Sequence, residues 1–495
     1  MSETARTYRL AAADRTGVLF GLSYRSLAVL AAGLVVAVVS FSRGVPAVGA
    51  GFALVCIGLV GLRMDGAPLV EALPIRLSWW MARPSRSWKA GLPLLDGAQP
   101  PWPAALAGLA IIEVSPELHG VVGLEAFAAV FDRPGGTVSA TLALSGPHFG
   151  LLEPAEAEAV LARWGEALAG FVRERGAVVA VKVSEWAAPG GLAEHRDFIS
   201  ARCHDPGSDL VTDYWSMVEA GGPMASAHET LVTVVVGLGR GPRRSGRDLL
   251  GSALGTLGTE MRLFADRVSA AGLNVRGALT PSELARALRS RLDPTSLASM
   301  DLRQASLGRS AGLVSLANAG PLASEAAWDH WRTDGSLHRS FYVAEWPRQG
   351  LPADWMSGLI SWAGAVRAIT LVLEPVAPRA SREAVRSAST RIDSDTEHRS
   401  RQGFRVGAEL KRAAAEVVTR EEELIAGFPE FTYAGIITIT APTLGELDRA
   451  SADVDQVAAA HGLELRALHG RHDQAAVAGL PLGRGLVPAR SRGLK

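Results

Sequence analysis

The chain has 495 residues, and its 50 Lys and Arg balance 50 Asp and Glu, so the formal net charge is zero. A hydrophobic share of 48% and a mean hydropathy of +0.16 suit a globular protein with a small membrane part. Residues 1–100 hold ten basic and five acidic residues, a charge of +5, which leaves −5 for the rest. That slightly acidic remainder argues against broad nucleic-acid binding. The two cysteines, Cys56 and Cys203, allow no disulfide framework and fit a reducing cytoplasm.

Two apolar stretches without charge, 26–41 and 47–62, lie near the N-terminus, and each has 16 residues. A spanning helix needs roughly 17–25 residues, so flanking residues or local thinning of the bilayer must supply the difference. Because the connection 42–46 is short, we predict an antiparallel transmembrane hairpin of two helices. A signal peptide would have one apolar core and a cleavage site, whereas a buried soluble hairpin stays open because the stretches are short. Small residues at four-residue spacing predict the helix contact: Ala28, Ala32, Gly49 and Ala53.

Basic residues flank the hairpin on both sides, and only Arg43 lies in its loop. They are Arg6, Arg9, Arg15 and Arg25 before it and Arg63, Arg76, Arg83, Arg86 and Lys89 after it. The positive-inside rule therefore predicts a cell-membrane protein with two spans and both termini in the cytoplasm. Trp79, Trp80 and Trp88 lie among the basic residues that follow, so we expect residues 67–89 to lie along the membrane surface.

From about residue 105 the pattern predicts repeated strand–helix–strand units. In the first strand, 137–144, apolar residues alternate with Thr137, Ser139 and Thr141, which is typical of a half-buried strand. Further strands are predicted at 177–186, 229–236, before 279, and at 339–346, 367–374, 431–440 and 463–468. Helices are predicted at 154–175, 250–268, 281–292, 352–363 and 443–461. Capping boxes at 280–283 and 443–446 begin two of these helices.

These units indicate an α+β fold in two halves, with helices on one face of each sheet, and ferredoxin-like βαβ repeats are the economical arrangement. Residues 380–428 are predicted to be a helical insertion, and 295–336, rich in Ser, Ala and Gly, a bridge between the halves. V-A-E-W at 343–346 is similar to V-S-E-W at 183–186, which favours an internal repeat. The predicted domains are a membrane hairpin with its juxtamembrane segment at 1–92, cytoplasmic domains at 104–294 and 336–483, and a basic tail at 484–495.

One motif matches a catalytic pattern, because residues 308–312 read G-x-S-x-G with Ser310 at the nucleophile position. That pattern needs a strand before it and a helix after it. Residues 301–307 are not a convincing strand, so we interpret the match as coincidental, although His330 and His338 follow. The sequence also has no phosphate loop of the form G-x-x-x-x-G-K-[ST]. We therefore predict a non-enzymatic chain with no catalytic residue and no cofactor.

Two other groups of residues have weaker functional interpretations. The glycines at 237–241 follow a strand, but Pro242 stands where the dinucleotide fingerprint needs glycine. The arginines between Arg240 and Arg247 either gather an anion at the next helix or belong to an exposed loop, which is favoured. The second group comprises His469, His472 and Asp473. A metal site needs more ligands than these, so coincidence is favoured and no metal is predicted.

Several stretches resemble components of type IV secretion and conjugation systems. The hairpin with its tryptophan-rich basic exit, 26–89, resembles PrgI-like membrane components. The remainder resembles the N-terminal, non-ATPase region of large conjugation ATPases. The residues that carry this second resemblance are 341–347, Trp355, 370–375, the helix from Thr443, Gln474, and L-P-L-G-R at 480–484. The whole resembles an actinobacterial integral-membrane family that joins the two parts.

The resemblance implies a scaffold that docks a translocation ATPase supplied by another chain. In such ATPases the stretch like 480–484 leads into a nucleotide-binding domain, whereas this sequence ends about a dozen residues later. The implied partners are the lipid bilayer, the ATPase and other membrane components, with a homo-oligomer left open and no direct nucleic-acid binding. A type VII secretion membrane component is one alternative, and a membrane-tethered serine hydrolase using Ser310 is another. The sequence leaves open whether the cargo is DNA or protein.

Overall fold

The computed structural model has an α+β fold, as the sequence predicts, and 13 of its described strands belong to one large antiparallel sheet. It describes residues 24–64, 67–90, 102–146, 152–189, 207–221, 226–239, 246–297, 316–347, 349–401 and 408–485, with single positions between them. The described helices are α1 (Tyr24–Ser42), α2 (Pro46–Gly61), α3 (Leu69–Met81), α4 (Pro116–His119), α5 (Pro154–Ala169), α6 (Asp209–Gly221), α7 (Gly246–Ala270), α8 (Pro281–Leu292), α9 (Ser357–Ser361), α10 (Pro378–Arg401), α11 (Ala408–Ile425), α12 (Leu444–Ala460) and α13 (His472–Gly479).

The described strands are short at the edges of the sheet and long at its centre. They are β1 (Arg63–Met64), β2 (Ala67–Pro68), β3 (Ser87–Lys89), β4 (Leu109–Val114), β5 (Phe127–Asp132), β6 (Thr137–Ser145), β7 (Val178–Pro189), β8 (Ser226–Gly237), β9 (Asn274–Ala278), β10 (Ala323–Ala326), β11 (Trp331–Thr333), β12 (Ser336–Glu345), β13 (Val366–Pro375), β14 (Phe431–Ala441) and β15 (Glu464–Ala467). Strands β1 and β2 form a separate two-stranded ladder after the hairpin.

The N-terminal stretches form the predicted antiparallel pair of helices, α1 and α2. The helices approach closely where one of them has glycine. A Cβ on Gly49 would lie 2.8 Å from the Cα of Ala37, and one on Gly33 would lie 3.0 Å from the Cβ of Cys56. The distance at Gly49 is shorter than real Cβ contacts, and the one at Gly33 is tighter than most of them. The close spacing of the two helices therefore depends mainly on Gly49.

The small residues predicted to form the α1 side of the helix contact were the wrong ones. Ala28 and Ala32 are exposed, whereas Gly33 and Ala37 face α2. An Ala- and Gly-rich helix offers several pairs at four-residue spacing, and spacing alone does not say which pair faces the partner.

The large sheet consists of two halves with the same strand order. From edge to edge the order is β3-β10-β11-β12-β14-β13-β7-β8-β6-β5-β4, and β15 and β9 pair with the outer sides of β12 and β6. Outward from the centre, the first half therefore runs β7, β8, β6, β5, β4 and the second half runs β13, β14, β12, β11, β10. The halves join where β7 pairs antiparallel with β13, and Ser184 lies opposite Thr370 near the middle of that ladder.

Helices cover both faces of this sheet, which corrects the expectation of helices on one face. In β5, Phe127 and Ala129 belong to an apolar core with α7, whereas Ala128 and Val130 belong to a second core with α8 and α13. A third core packs α12 against β12 and β14. Because alternate residues of a strand point to opposite faces, the central strands are buried on both sides. The polar residues predicted for a half-exposed face of β6 are buried: Thr137, Ser139 and Thr141.

Local signals placed most elements within a few residues. Helix α8 has the predicted bounds, and Thr280 and Glu283 form the predicted capping box. Helices α10 and α11 are the predicted insertion. The predicted bridge, 295–336, contains the strands β10 and β11 instead of only a linker, and β3 and β5 were not predicted. The V-A-E-W and V-S-E-W stretches lie along β12 and β7, which occupy different positions in their halves, so they do not mark the repeat.

A leucine at Gly49 is expected to force α1 and α2 apart, because its side chain would occupy the space of Ala37. Overpacking of this kind costs about 1–3 kcal/mol. Gly51→Leu is the matched control, since Gly51 lies on the same helix with nothing within 4 Å of its Cβ position. Thermal unfolding of the full chain in detergent, with a probe on the hairpin, should give a lower midpoint for Gly49→Leu than for Gly51→Leu. Equal midpoints would contradict the close helix contact.

Candidate functional site

The hairpin presents an apolar surface that the other described residues do not cover. Leu34, Phe41 and Leu54 are 67%, 76% and 68% exposed. By length and composition, the span Arg25–Ser42 suffices to cross a membrane, with a mean hydropathy of 2.0 over 18 residues, of which 11% are buried. Helix α2 is apolar but has only 16 residues. Water is a poor solvent for a surface of this size, so it calls for lipid or protein as its neighbour.

Helix α3 continues this apolar surface beside the hairpin. It packs against both α1 and α2. Leu73, Leu77, Trp80 and Met81 are all more than half exposed, and their spacing puts them on one side of the helix. Helix α3 is therefore amphipathic, with a free apolar side and a second side that faces the sheet.

The second side of α3 docks on a cluster of aromatic rings, here called the tryptophan cluster (Trp79, Trp328 and His469, with Arg76 and Arg86). Trp79 meets Trp328 edge-on with ring centroids 5.3 Å apart, and His469 stacks on Trp328 at 6.0 Å. The guanidinium of Arg76 lies 5.2 Å from the centre of the Trp328 ring, and that of Arg86 lies 3.8 Å from the centre of the Trp79 ring. These are cation–π distances, so aromatic and cationic contacts together hold α3 against the second half.

Backbone pairing strengthens the same joint. Strand β3 pairs antiparallel with β10, and Trp88 lies opposite Ser324. The backbone N–H of Ala90 donates to the carbonyl of Leu322 at 2.8 Å. Because β3 follows α3 after only a short turn, the hairpin is joined to the edge of the sheet by a ladder and a ring cluster rather than by a free linker.

At the centre of the sheet lies a second site, the central polar cluster. It consists of Thr141, Lys182, Ser184, Thr233, His338, Ser340, Thr370, Thr438 and Thr440, all buried. Neighbouring hydroxyls satisfy one another across strands. The Oγ1 atoms of Thr141 and Thr233 are 2.8 Å apart, and the hydroxyl oxygens of Thr370 and Ser184 are 3.1 Å apart. Buried polar groups must find such partners, because an unsatisfied one costs about 1–3 kcal/mol.

Helix α13 and the C-terminal arm (residues 480–485) lie across this cluster and supply the remaining acceptors. The Nζ of Lys182 donates to the carbonyls of Leu480 at 2.8 Å and Arg484 at 3.3 Å. Thr370 also donates to the carbonyl of Gly479 at 3.3 Å. At the start of α13, the backbone N–H of Ser340 donates to Nδ1 of His472 at 3.1 Å. The arm therefore completes the hydrogen bonding of Lys182 in the first half, and α13 completes that of Ser340 and Thr370 in the second.

An ion pair holds the end of the arm on the first half. The guanidinium of Arg484 donates to both carboxylate oxygens of Asp132, at 2.6 and 3.3 Å, and to the carbonyls of Ala105 and Ala107. Gly483 has φ +70°, and a Cβ there would lie 2.5 Å from the Cβ of Ser139. Glycine at this position allows the arm to turn and to touch β6.

Residues near the end of the first half likewise bind residues of the second half. At the end of α8, the carbonyl of Leu292 accepts from the hydroxyl of Thr333, and its oxygen lies 3.1 Å from Nε2 of His338. Arg289, also on α8, donates to Asp334 at 2.7 Å. Thus the second half binds the first through the residues that follow α13, and the first half binds the second through the last turns of α8.

Burial controls the charge of the titratable groups in the central polar cluster. It lowers the pKa of Lys182 to about 7 and that of His338 to about 4. A cavity of about 20 Å³, lined partly by Trp186, Arg291, His338 and Gly479, lies beside them. This volume holds about one water molecule. The hydrogen bonds around this cavity join strands of the two halves.

Of the candidate site residues predicted from the sequence, some lie in the described structure and others lie outside it. His472 is 1% exposed, and burial, with His469 and Arg339 nearby, lowers its pKa to about 3. Within the described part of the chain, no three or more His, Cys, Asp or Glu residues are grouped to hold a metal. Ser310 and the arginine loop from Arg240 to residue 245 lie outside the described residues.

No family model matches the sequence, and no curated protein matches it significantly. The interpretation of both sites therefore depends on their chemistry and geometry.

Sequence reasoning missed the central polar cluster. Lys182 and Thr141 lie on strands with ordinary alternation, where a polar residue signals a solvent-facing side. One signal was available: Lys182 is one of only four lysines, and it stands between valines in a strand. Trp328 and His469 were also missed as partners of Trp79, because they are far away in sequence.

Lys182 makes the stability of the fold depend on pH in a definite direction. Its folded-state pKa, about 7, lies below the ordinary value of 10.5, so the unfolded chain binds more protons between these values. Stability should therefore rise from pH 7 to pH 10, by on the order of 1 kcal/mol per pH unit. The unfolding midpoint of the wild type minus that of Lys182→Met should therefore rise over this range. Lys411→Met, an exposed lysine on α11, is the control and should keep the wild-type slope. A Lys182→Met slope equal to wild type would contradict the buried amine.

Proposed function

We propose that this chain is a non-enzymatic, membrane-anchored scaffold in a secretion or conjugation apparatus of the type IV kind. Its role is to hold a separately encoded translocation ATPase at the membrane. The observation that carries the proposal is the exposed apolar surface of α1, α2 and α3, joined to a large sheet through the β3–β10 ladder. A joint of this kind transmits position and force, which a scaffold needs and a free tether does not provide.

The proposed topology has two spans with both termini in the cytoplasm. The basic residues on both sides of the hairpin support it, since only Arg43 lies in the loop. Helix α2 has 16 residues and is about 24 Å long, against a hydrocarbon core of roughly 30 Å. Thinning of the bilayer near the hairpin would match the two lengths at modest cost.

We also propose that each half of the sheet is a ferredoxin-like βαββαβ unit with two added strands. The strand orders β9-β6-β8-β7 and β15-β12-β14-β13 support this, because the first strand of each unit lies between its third and fourth. The predicted cytoplasmic domains, 104–294 and 336–483, would then be two copies of one unit. Such sheets offer rigid surfaces for docking, which suits a role in positioning a partner.

The partnership with an ATPase is proposed from the sequence resemblance of 341–347, 370–375 and 480–484 to the non-ATPase region of conjugation ATPases. In this fold the first two stretches lie on or beside the central strands β12 and β13, and the third is the C-terminal arm. Residues 370–375 and the arm thus lie where the halves join, whereas 341–347 belong to the core of the second half. The nucleotide-hydrolysing part would be supplied by the partner chain.

Membrane fractions washed with carbonate should retain the full-length chain, because the apolar surface of α1 and α2 would be solvated by lipid. A tag at the C-terminus should resist protease added outside intact cells and be cleaved after permeabilisation. A cytoplasmic marker protein and a known external tag serve as controls. Release of the chain by carbonate, or cleavage of the tag in intact cells, would contradict the anchored topology.

Purification of the tagged full chain in mild detergent should recover a nucleotide-hydrolysing partner, and loss of the chain should abolish transfer of cargo. Ser310→Ala separates this proposal from a serine hydrolase, because a scaffold should keep wild-type transfer activity without that hydroxyl. Ser306→Ala, in the same part of the chain, controls for an effect of serine loss alone. Recovery of no such partner, or loss of transfer with Ser310→Ala only, would overturn the scaffold.

A further inference from the structure

The tryptophan cluster contains hydrogen-bond donors that lack acceptors. Nε1 of Trp79 and Nε of Arg86 are buried, and among the described residues neither has a hydrogen-bond partner. The two side chains lie against each other, with the Arg86 guanidinium 3.8 Å from the centre of the Trp79 ring. Indole and guanidinium groups donate hydrogen bonds and accept none. Neither group can therefore accept a hydrogen bond from the other, and an oxygen from beyond the described residues would be their natural partner.

The charge around these donors is positive. Residues 67–89 contain Arg76, Arg83, Arg86 and Lys89 and one acid, Glu71, which gives +3. The acid next to Trp328, Asp329, is already engaged, since its carboxylate lies 2.9 Å from Nδ1 of His330 and 3.5 Å from Nη2 of Arg339. An oxygen that carries negative charge therefore fits this place better than a neutral carbonyl.

The position of the donors points to the source of that oxygen. Trp79 lies on the sheet-facing side of α3, and Arg86 follows that helix just before β3. On the opposite side of α3, Leu73, Leu77 and Trp80 are exposed and apolar. A helix of this kind lies at the boundary between headgroups and acyl chains. The cluster would then be at the depth of the lipid phosphates, in the leaflet on the side of the sheet.

We propose that Trp79 and Arg86, with Arg76 beside them, bind the phosphate of an anionic phospholipid. This rests on the membrane anchoring proposed above. A phosphodiester supplies acceptor oxygens and one negative charge, and guanidinium–phosphate hydrogen bonds are among the strong ones. The bound headgroup would fix the α3–Trp328 contact, so lipid would stabilise the joint between hairpin and sheet.

The test measures binding of phosphatidylglycerol and phosphatidylcholine to the full chain in neutral detergent, by native mass spectrometry. Wild type should bind phosphatidylglycerol at least about tenfold more tightly, the gain expected for hydrogen bonds to a charged group. Arg86→Gln should lose most of that preference. Trp79→Phe, which keeps a ring and removes the N–H, should lose part of it. Arg83→Gln is the matched control, since it removes the same charge from an exposed position of the same segment and should change binding less than twofold.

Equal binding of the two lipids by wild type, or equal losses for Arg83→Gln and Arg86→Gln, would overturn the proposal. Inorganic phosphate and glycerol phosphate are competitors in parallel samples. Displacement by either at millimolar concentration would assign the site to a soluble anion and overturn the lipid assignment. Variants whose unfolding midpoints without lipid lie within a few degrees of wild type are folded. If Arg86→Gln is not among them, the loss measured for Trp79→Phe decides the test. If the full chain stays in carbonate-washed membranes but binds both lipids equally, the proposed lipid site is wrong and the proposed membrane anchoring stands.

Discussion

The antiparallel pairing of β7 with β13 is the contact on which the rest of the structure depends. It joins two halves of equal strand order into one sheet, and it puts the middle of that sheet under helices on both faces. Polar side chains in this position lose water and must be satisfied by the chain itself. The C-terminal arm does so for Lys182 with the carbonyl of Leu480, and the last residue of α13, Gly479, does so for Thr370. The fold thus closes at its centre only when its last described segment is in place.

The joint at the tryptophan cluster connects this sheet to the hairpin. Its contacts are of three kinds, namely a β ladder, an edge-on pair of indoles and cations over rings. Each is modest alone, but together they fix both the distance and the orientation of α3 relative to β10. If the hairpin lies in a membrane as we propose, the sheet has a defined orientation beneath the bilayer. A partner docked on the sheet would then be presented at a constant height.

The sequence predicts elements well where the signal is local and predicts their assembly poorly. The capping box at Thr280 and the apolar face of α7 depend on residues three or four positions apart, so α7 and α8 were placed closely. Lys182 meets the carbonyl of Leu480, a partner 298 residues away, and no local pattern contains that information. The same holds for Trp79 and Trp328. Buried serines and threonines on central strands were misleading, because alternation predicts exposure unless something covers the second face.

The reciprocal contacts of the two halves have a consequence for how the protein is made. When β7 leaves the ribosome, the acceptor of Lys182, the carbonyl of Leu480, has not yet been synthesised, because it lies 298 residues later in the chain. At roughly 5–20 residues per second, translation takes about 15–60 s to deliver it. Until the second half is made, the edge of β7 that pairs with β13 is unpaired, and the face of the first half that α13 covers is exposed. Chaperones bind such surfaces, and aggregation begins from them.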